Sequence, residues 1–392
     1  MQDAYIIAGY RTAVGKSKRG KLRFYRPDDL AIDVIKALLA SVPQLDPHRV
    51  DDVMVGNAVP EAEQGLQVGR IIAARAVGIH APGVTVNRYC ASGLETIAMA
   101  TAKIRSGQAD CIIAGGTESM SMVPQAGWKT VPAYSIASED PDYYLNMGLT
   151  AEAVSREFDV SREDQDKFSY DSHQKAIHAI RNGYFKSGIL PVKVEEVYID
   201  EKGHRQKRSF MMEEDEGPRA DTSLEALAKL KPVFAAGGFV TAGNSSQTSD
   251  GAAFVIVMGE KMAAELSLKP IARLVACASA GVHPRIMGIG PVEAVPKALR
   301  QAGMSLGQID LVELNEAFAA QALAVIRRLE IDPAIVNVNG GAIALGHPLG
   351  CTGCKLTIQI TQDLKRLKKK YGIVTACVGG GQGIAGIIEN ID

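Results

Sequence analysis

The sequence predicts an α/β protein made of two copies of one unit, on three observations. First, short apolar runs such as Cys111-Ile112-Ile113-Ala114 and Ile373-Val374-Thr375-Ala376 alternate with amphipathic stretches such as residues 94–104. A run that is apolar at every position is a strand buried on both faces, which requires helices on both sides of a sheet. Second, glycine punctuates the chain at 39 of 392 positions and marks turns between the elements. Third, the two ends echo each other. VDDVMVGNAV (50–59), PGVTVNRYCASG (82–93), a helix and ADCIIAGGTES (109–119) are followed much later by IDLVELNEAF (309–318), PAIVNVNGGAIALGHPLGCTG (333–353), a helix and YGIVTACVGGGQG (371–383). Each copy reads strand, loop, strand, glycine-containing turn, amphipathic helix, strand, glycine cluster. Such a duplication relates the halves by a pseudo-twofold axis and brings corresponding loops to one face.

Residues 121–245 break this pattern. They are rich in Met, Ser, Pro, Tyr and charge, with helical periodicity over 161–179 and a charged tract of exposed hairpins over 195–219. We read them as an inserted lid. Ala252-Ala253-Phe254-Val255-Ile256-Val257 returns to strand character. The expected organisation is a first half of residues 1–120 plus 246–270, an inserted loop domain of 121–245, and a second half of 271–392.

The composition, 46% hydrophobic and 22% charged with a net charge of −1, is that of an ordinary globular chain. No overall positive field draws it to nucleic acid or an anionic membrane. The basic run at residues 365–370 reads as the solvated end of a helix, favoured by the helix dipole. The chain opens on Met1-Gln2-Asp3-Ala4 and passes into a strand-like run with no leader pattern, and it ends on Glu389-Asn390-Ile391-Asp392 with no address motif. A cytoplasmic compartment without a membrane span is the expectation. Six cysteines in so long a chain are too sparse for a disulfide scaffold.

Four segments could carry chemistry. In Asn87-Arg88-Tyr89-Cys90-Ala91-Ser92-Gly93 a strand leads in and a helix leads out, placing Cys90 at a helix N-terminus where dipole and free amides favour thiolate. Two readings stand for it: a nucleophile or a buried core cysteine. Gly346-His347-Pro348-Leu349-Gly350 puts a histidine on a constrained loop. Cys377-Val378-Gly379-Gly380-Gly381-Gln382-Gly383 delivers a thiol into glycines, whose amides can serve an oxyanion. Asn315-Glu316-Ala317-Phe318-Ala319 ends a strand and starts a helix, so Asn315 either caps that helix or holds a water or carbonyl oxygen. Gly381, Gly383 and Gly386 match G-x-G-x-x-G, but too little chain follows for a dinucleotide-binding unit. Cys351-Thr352-Gly353-Cys354 has redox or zinc spacing but no second ligand pair, so packing is the simpler role and no metal is expected.

Taken together, NRYCASG, NEAFA, GGAIALGHPLG and CVGGGQG, in this order across the whole chain, resemble the thiolase family. The resemblance implies a five-layered α/β fold of two similar halves with a loop domain, assembled as a homodimer or homotetramer. It implies catalysis by Cys90, His347, Cys377 and Asn315. Two oxyanion sites would follow, one from His347 with a water held by Asn315, the other from the amides of Cys90 and Gly379. Coenzyme A enters as co-substrate, with no bound cofactor. Ser246, in TAGNSSQTSDGAA, Met147, in NMGLTAE, Phe318 and Arg219 are the implied substrate and CoA contacts. GPRADT (217–222), IMGIGP (286–291) and GCTG (350–353) look more like the degradative 3-ketoacyl-CoA thiolases of fatty acid β-oxidation than like the biosynthetic acetyl-CoA C-acetyltransferases. Asn146 departs from the histidine common in short-chain biosynthetic members. Cys354 and Lys355 replace a small residue and an arginine, which bears on local packing.

Overall fold

Each apolar run forms a strand in the structure, a computed structural model that describes residues 2–391. The first half contains β1 (Ala4–Thr12), β2 (Gly15–Lys16), α1 (Pro27–Ser41), β3 (Asp52–Gly56), α2 (Val68–Ala76), β4 (Gly83–Val86), α3 (Ser92–Arg105) and β5 (Cys111–Ser119). The next segment holds α4 (Tyr134–Glu139), α5 (Met147–Glu157), α6 (Arg162–Arg181), β6 (Ile189–Leu190), the hairpin β7 (Val192–Ile199) and β8 (Arg205–Met212), and α7 (Leu224–Ala228). The chain then returns through β9 (Ser249–Gly259) and α8 (Glu260–Glu265). The second half contains β10 (Ala272–Gly281), α9 (Gly290–Ala302), β11 (Leu311–Leu314), α10 (Ala319–Arg328), α11 (Ala342–Leu345), α12 (Leu349–Leu367), β12 (Tyr371–Val378) and β13 (Gln382–Asn390).

Among the described residues nine strands run continuously in the order β11-β12-β13-β10-β1-β9-β5-β3-β4, with β2 beside β9 and β6 beside β1, and β7 and β8 form a separate hairpin. Read from its middle, the order is mirrored. β3 and β5 are parallel, as are β11 and β12, and each pair adjoins an antiparallel strand, β9 or β13. The halves meet at a narrow antiparallel seam, Ile6 opposite Ala272. The second copy differs from the first in one respect. Where β4 pairs along β3, residues 333–340 make a single bridge, Val312 to Val336, and no full strand.

Alternate residues of the central strands point to different cores, which is why these strands are apolar throughout. Cys111 and Ile113 face one core with α1 and α2, including Leu30, Ile35, Leu38 and Ile72. Ile112 and Ala114 face a second core, shared with Val374, Ala376 and Ile384 of the other half. α3 and α12 fill that core through Leu94, Ile97, Ile104, Leu356 and Ile360. Ile373 and Ile387 face a third core under α9 and α10. The two halves of the sheet thus stack with helices outside and between them, in the layering helix, half-sheet, helix, half-sheet, helix.

α3 and α12 cross closely because glycine lies on both sides. A Cβ on Gly93 would stand 2.8 Å from the Cys354 nitrogen, and one on Gly353 would overlap the Leu94 backbone. This contact sets the two helix N-termini side by side. The inserted segment is not merely draped over the top: its β6 adds to β1, and its Asp215 forms a two-pronged ion pair with Arg11 of β1 at 2.7 and 2.8 Å.

Candidate active site

Cys90 sits in a tight elbow between β4 and α3. Tyr89, just before it, has φ 44°, a left-handed conformation strained for so bulky a side chain. Asn87 holds the turn: its Oδ1 accepts the Tyr89 N–H at 2.9 Å and its Nδ2 donates to the Ala58 carbonyl at 3.0 Å. Ser92 closes it, donating to the Tyr89 carbonyl at 2.7 Å and accepting from the Arg88 N–H at 2.9 Å. The residue is half-buried, and the amides of Gly379 and of Cys90 itself point at its sulfur. Burial pushes the Cys90 thiol up to about 12 despite those two amides. The expectation of a thiolate favoured by the helix N-terminus meets a larger opposing effect: desolvation outweighs the two amides and holds the group as a thiol.

His347 occupies the turn between α11 and α12. Gly346 before it has φ 90°, and Pro348 after it is the residue that caps α12. Its N–H donates to Ser249 Oγ at 3.1 Å and to the Gln247 carbonyl at 3.2 Å. Its Nδ1 lies 2.6 Å from Thr352 Oγ1 and its Nε2 3.4 Å from Asn315 Nδ2. Burial, helped by the Lys355 charge, holds the imidazole down at about 3, so it is neutral. Asn315 is not a helix cap. α10 starts at Ala319 and Phe318, in extended conformation, precedes it. The Asn315 N–H instead continues the strand pairing, donating to the Thr375 carbonyl at 2.9 Å, while its Oδ1 is buried without a partner.

Cys377 lies near the end of β12, fully buried. Burial first, and then the proximity of the Cys90 sulfur, hold its thiol well above the ordinary range. The chain then turns through Gly380 and Gly381 at φ 78° and 83°. Gly379 lies beside Met147 and Tyr89: the point where a Cβ would stand is in ordinary contact with Met147 Sδ and Tyr89, each at 3.6 Å.

The returning segment threads between the motifs of the second half. Ser245 bridges Phe318, the Ser246 N–H donates to the Ala317 carbonyl at 2.9 Å, and Thr248 bridges His347. Ser246 therefore lies between the asparagine and histidine loops. Met147 opens α5, which Asn146 caps through its Oδ1 and the Gly148 N–H at 2.8 Å. Met147, Phe318, Met287 and Cys377 share one apolar cluster, in which Phe318 meets Phe234 edge-on. Arg219 lies outside these contacts: its exposed guanidinium pairs with Asp221 at 3.1 Å, and its N–H donates to His173 Nδ1 at 3.2 Å.

Family models agree with this architecture. The thiolase N-terminal domain matches residues 4–261 and the thiolase C-terminal domain residues 268–390. The chain belongs to the thiolase family. It is 50% identical to the 3-ketoacyl-CoA thiolase of Bacillus subtilis, over 99% of this chain and 100% of that one. It is 44% identical to the acetyl-CoA acetyltransferase of Pseudomonas aeruginosa, over 98% of each, and 42% identical to a beta-ketoadipyl-CoA thiolase of Acinetobacter baylyi, over the whole of both. The crystal structure of the Bacillus anthracis acetyl-CoA acetyltransferase superposes with a TM-score of 0.90 at 37% identity, covering 100% of this chain and 99% of that one.

Three residues around the site of this thiolase were not singled out by sequence reasoning. Glu118 accepts the Ala58 and Gly350 amides at 2.8 and 2.9 Å and Gln64 Nε2 at 2.8 Å, tying the end of β3 to the start of α12. Burial raises its carboxyl above the ordinary range. Its signal was a lone acid in an apolar strand run. Ser249 and Thr352 both touch His347; only the spacing of Thr352, one helical turn past Pro348, hinted at contact. Cys351 and Cys354 are buried in the central core with thiols pushed up by desolvation, in keeping with packing. Among the described residues one trio, Asp140, Asp142 and His283, brings possible metal-ligand atoms within 4.8 Å. His283 Nδ1 already accepts the Arg285 N–H, which leaves a proton on Nε2 and no free lone pair for a metal.

Proposed function

We propose that this thiolase cleaves 3-ketoacyl-CoA with CoA, giving acetyl-CoA and a shortened acyl-CoA through an acyl group on Cys90. The observation that carries this reading is the meeting of two thiols, a neutral imidazole and two inward amides in one site. Cys90 attacks the 3-keto carbon while His347 Nε2 takes its proton. The bond between the second and third carbons breaks, and its electron pair leaves on the acetyl-CoA fragment. Cys377 protonates that carbon and becomes a thiolate. Incoming CoA gives its thiol proton to Cys377 and attacks the acyl group. Cys90 leaves and recovers its proton from His347. Each thiol thus serves a different atom, which is why two are needed.

The amides of Cys90 and Gly379, which point at the Cys90 sulfur, would hold the oxyanion on the carbon bonded to it, an interaction worth roughly 3 kcal/mol per donor. Asn315, with an unpartnered buried Oδ1 beside His347, suits a water that shares the enolate oxygen with the imidazole. Ser246, Met147 and Phe318 would line the thioester path. The segment 121–245 would act as a lid, and Arg219 on its surface would meet a CoA phosphate. The degradative assignment draws support from the 50% identical 3-ketoacyl-CoA thiolase. Biosynthetic condensation to acetoacetyl-CoA is the second reading, favoured by the acetyltransferase relatives. We infer a homodimer or homotetramer: Trp128 and Val131, on the loop before α4, and Tyr134, at its start, are strongly exposed, as a subunit contact requires.

The test is CoA-dependent cleavage of 3-ketoacyl-CoA from four to sixteen acyl carbons, with mass mapping of the trapped acyl group. Cleavage with the adduct on Cys90 is expected. Malonyl-dependent condensation without thiolysis, or an adduct on another cysteine, overturns the reading. A rate confined to acetoacetyl-CoA would favour the biosynthetic alternative.

A further inference from the structure

We propose that Thr352 is a positioning residue that fixes His347 in the one neutral tautomer able to take a proton from Cys90. The two residues are five apart, and Pro348 between them makes the contact. Pro348 caps α12, so His347 stands just outside the helix while Thr352 lies in its first turns and reaches back. Thr352 Oγ1 lies 3.1 Å from the Pro348 carbonyl and 2.6 Å from His347 Nδ1, and both side chains are buried. A hydroxyl has one proton to give. With that proton given to the Pro348 carbonyl, Oγ1 offers His347 only a lone pair. Nδ1 must then carry the imidazole proton.

A second neighbour agrees. Asn315 Nδ2 faces Nε2 at 3.4 Å, a donor directed at a lone pair. Nε2 thereby keeps its lone pair, held only by the long Asn315 contact until a proton is offered. The reverse tautomer would turn the hydroxyl from the Pro348 carbonyl, which keeps the Cys351 and Thr352 N–H groups at 2.9 and 3.0 Å, and would set an N–H against an N–H at Asn315 inside a buried site, where an unpaired donor is costly. The assignment also orders the chemistry. Nε2 has no proton to offer an oxyanion until it has taken the one from Cys90. Uptake of that proton converts the base into the donor that the next intermediate needs, and Thr352 accepts from Nδ1 in both states without moving.

The inference rests on His347 acting as base to Cys90, and its test is chosen to separate the two. Thr352→Val keeps the shape and removes the acceptor; Thr352→Ser keeps the acceptor and removes the methyl. The tautomer of His347 is read by nitrogen NMR of histidine-labelled enzyme, with His347→Asn to assign the signal. Iodoacetamide alkylation of Cys90 and kcat for thiolysis are measured beside it. We expect wild type and Thr352→Ser to show the Nδ1–H form. Thr352→Val should show loss of that form and about a hundredfold fall in kcat and in alkylation rate, the scale of general-base catalysis, with KM little changed. An Nε2–H signal in wild type overturns the assignment. So does a Thr352→Val enzyme as fast as wild type, or a Thr352→Ser enzyme as slow as Thr352→Val. Should Thr352→Val not fold, the wild-type signal and the Thr352→Ser rate still decide. A wild-type enzyme inactive on every 3-ketoacyl-CoA but carrying the Nδ1–H form would refute the proposed substrate alone.

Discussion

At the scale of single residues, the site is a neutral pair. Cys90 is pushed up to about 12 and His347 held down at about 3 because both are stripped of water. Between those values neither group changes its charge. Alkylation of Cys90 in the free enzyme is therefore expected to show no limb with a midpoint near the ordinary histidine value of about 6.5 between roughly pH 5 and pH 9; such a limb would contradict the pair. His173, buried under the loop that carries Arg219, is likewise lowered to about 4, by burial first and then by Arg219 and Lys16. The unfolded chain binds that proton more readily. The contribution of His173 is thus full above about pH 6.5 and is lost as the pH falls toward the folded value. Urea titrations at pH 7 and pH 5 should show His173→Asn losing about 2 kcal/mol less than wild type over that interval. An equal loss in both proteins would remove His173 as the cause. None of these directions was readable from local sequence. The Cys90 motif argued for a thiolate, since it displays the dipole and the amides but not the atoms that exclude water.

At the scale of elements, the sequence located strands and helices well where the apolar pattern was long. The charged tract over 195–219 contains the β7–β8 hairpin, and Ser161 caps α6 by accepting the Asp164 N–H. It erred where an element ended in a polar loop. Asn315 looked like a helix cap because asparagine before an amphipathic run usually is one, yet the chain runs three more residues, through a bend at Ala317, to meet the returning segment at Phe318. Residues 333–340 looked like a strand but contribute one bridge. The element contact that matters most is the crossing of α3 and α12, whose N-termini carry Cys90 and His347. Gly353→Ala would place a methyl group on the Leu94 backbone. We expect it to cost about 1–3 kcal/mol in a urea melt, the range for an overpacked core. The helix N-termini should part as well, cutting kcat more than tenfold, because misplacement of about an ångström is costly in a positioned reaction. Full activity in Gly353→Ala would show that the crossing does not set the site.

At the scale of the molecule, one repeated unit supplies two matching strand ends that have diverged. Gly56 pairs with Gly116 in the first half and Leu314 with Thr375 in the second. Continuing those strands makes Asn57 the counterpart of Asn315, and Glu118 the counterpart of Cys377. In the first half the pair is structural: Asn57 Nδ2 donates to the Thr117 carbonyl at 2.9 Å, and Glu118 clamps the two halves together. In the second half the same places hold the His347 partner and the second thiol. The inserted segment is anchored to this frame by the buried pair of Arg11 and Asp215, whose side chains are 3% and 0% exposed. Removing one partner strands a charge. Asp215→Ala should lose about 3–5 kcal/mol in denaturant unfolding, and replacing both partners with methionine should recover most of it. Equal losses in the single and double variants would mean that the ion pair is not what holds the segment.

The amino-acid sequence by itself determined the family, the duplication and most strands and helices of both halves, and it singled out Cys90, His347, Asn315 and Cys377 as site candidates. These follow from local spacing and from the order of motifs, which survive in one dimension. Only the tertiary structure decided that the two thiols are neutral, that Asn315 addresses His347 rather than a helix, and that Thr352 and Glu118 belong to the site. Desolvation, hydrogen-bond partnership and tautomer are set by atoms far apart in the chain, Glu118 to Gly350 being 232 residues. They come into being only when the glycine crossing brings the two helix ends together.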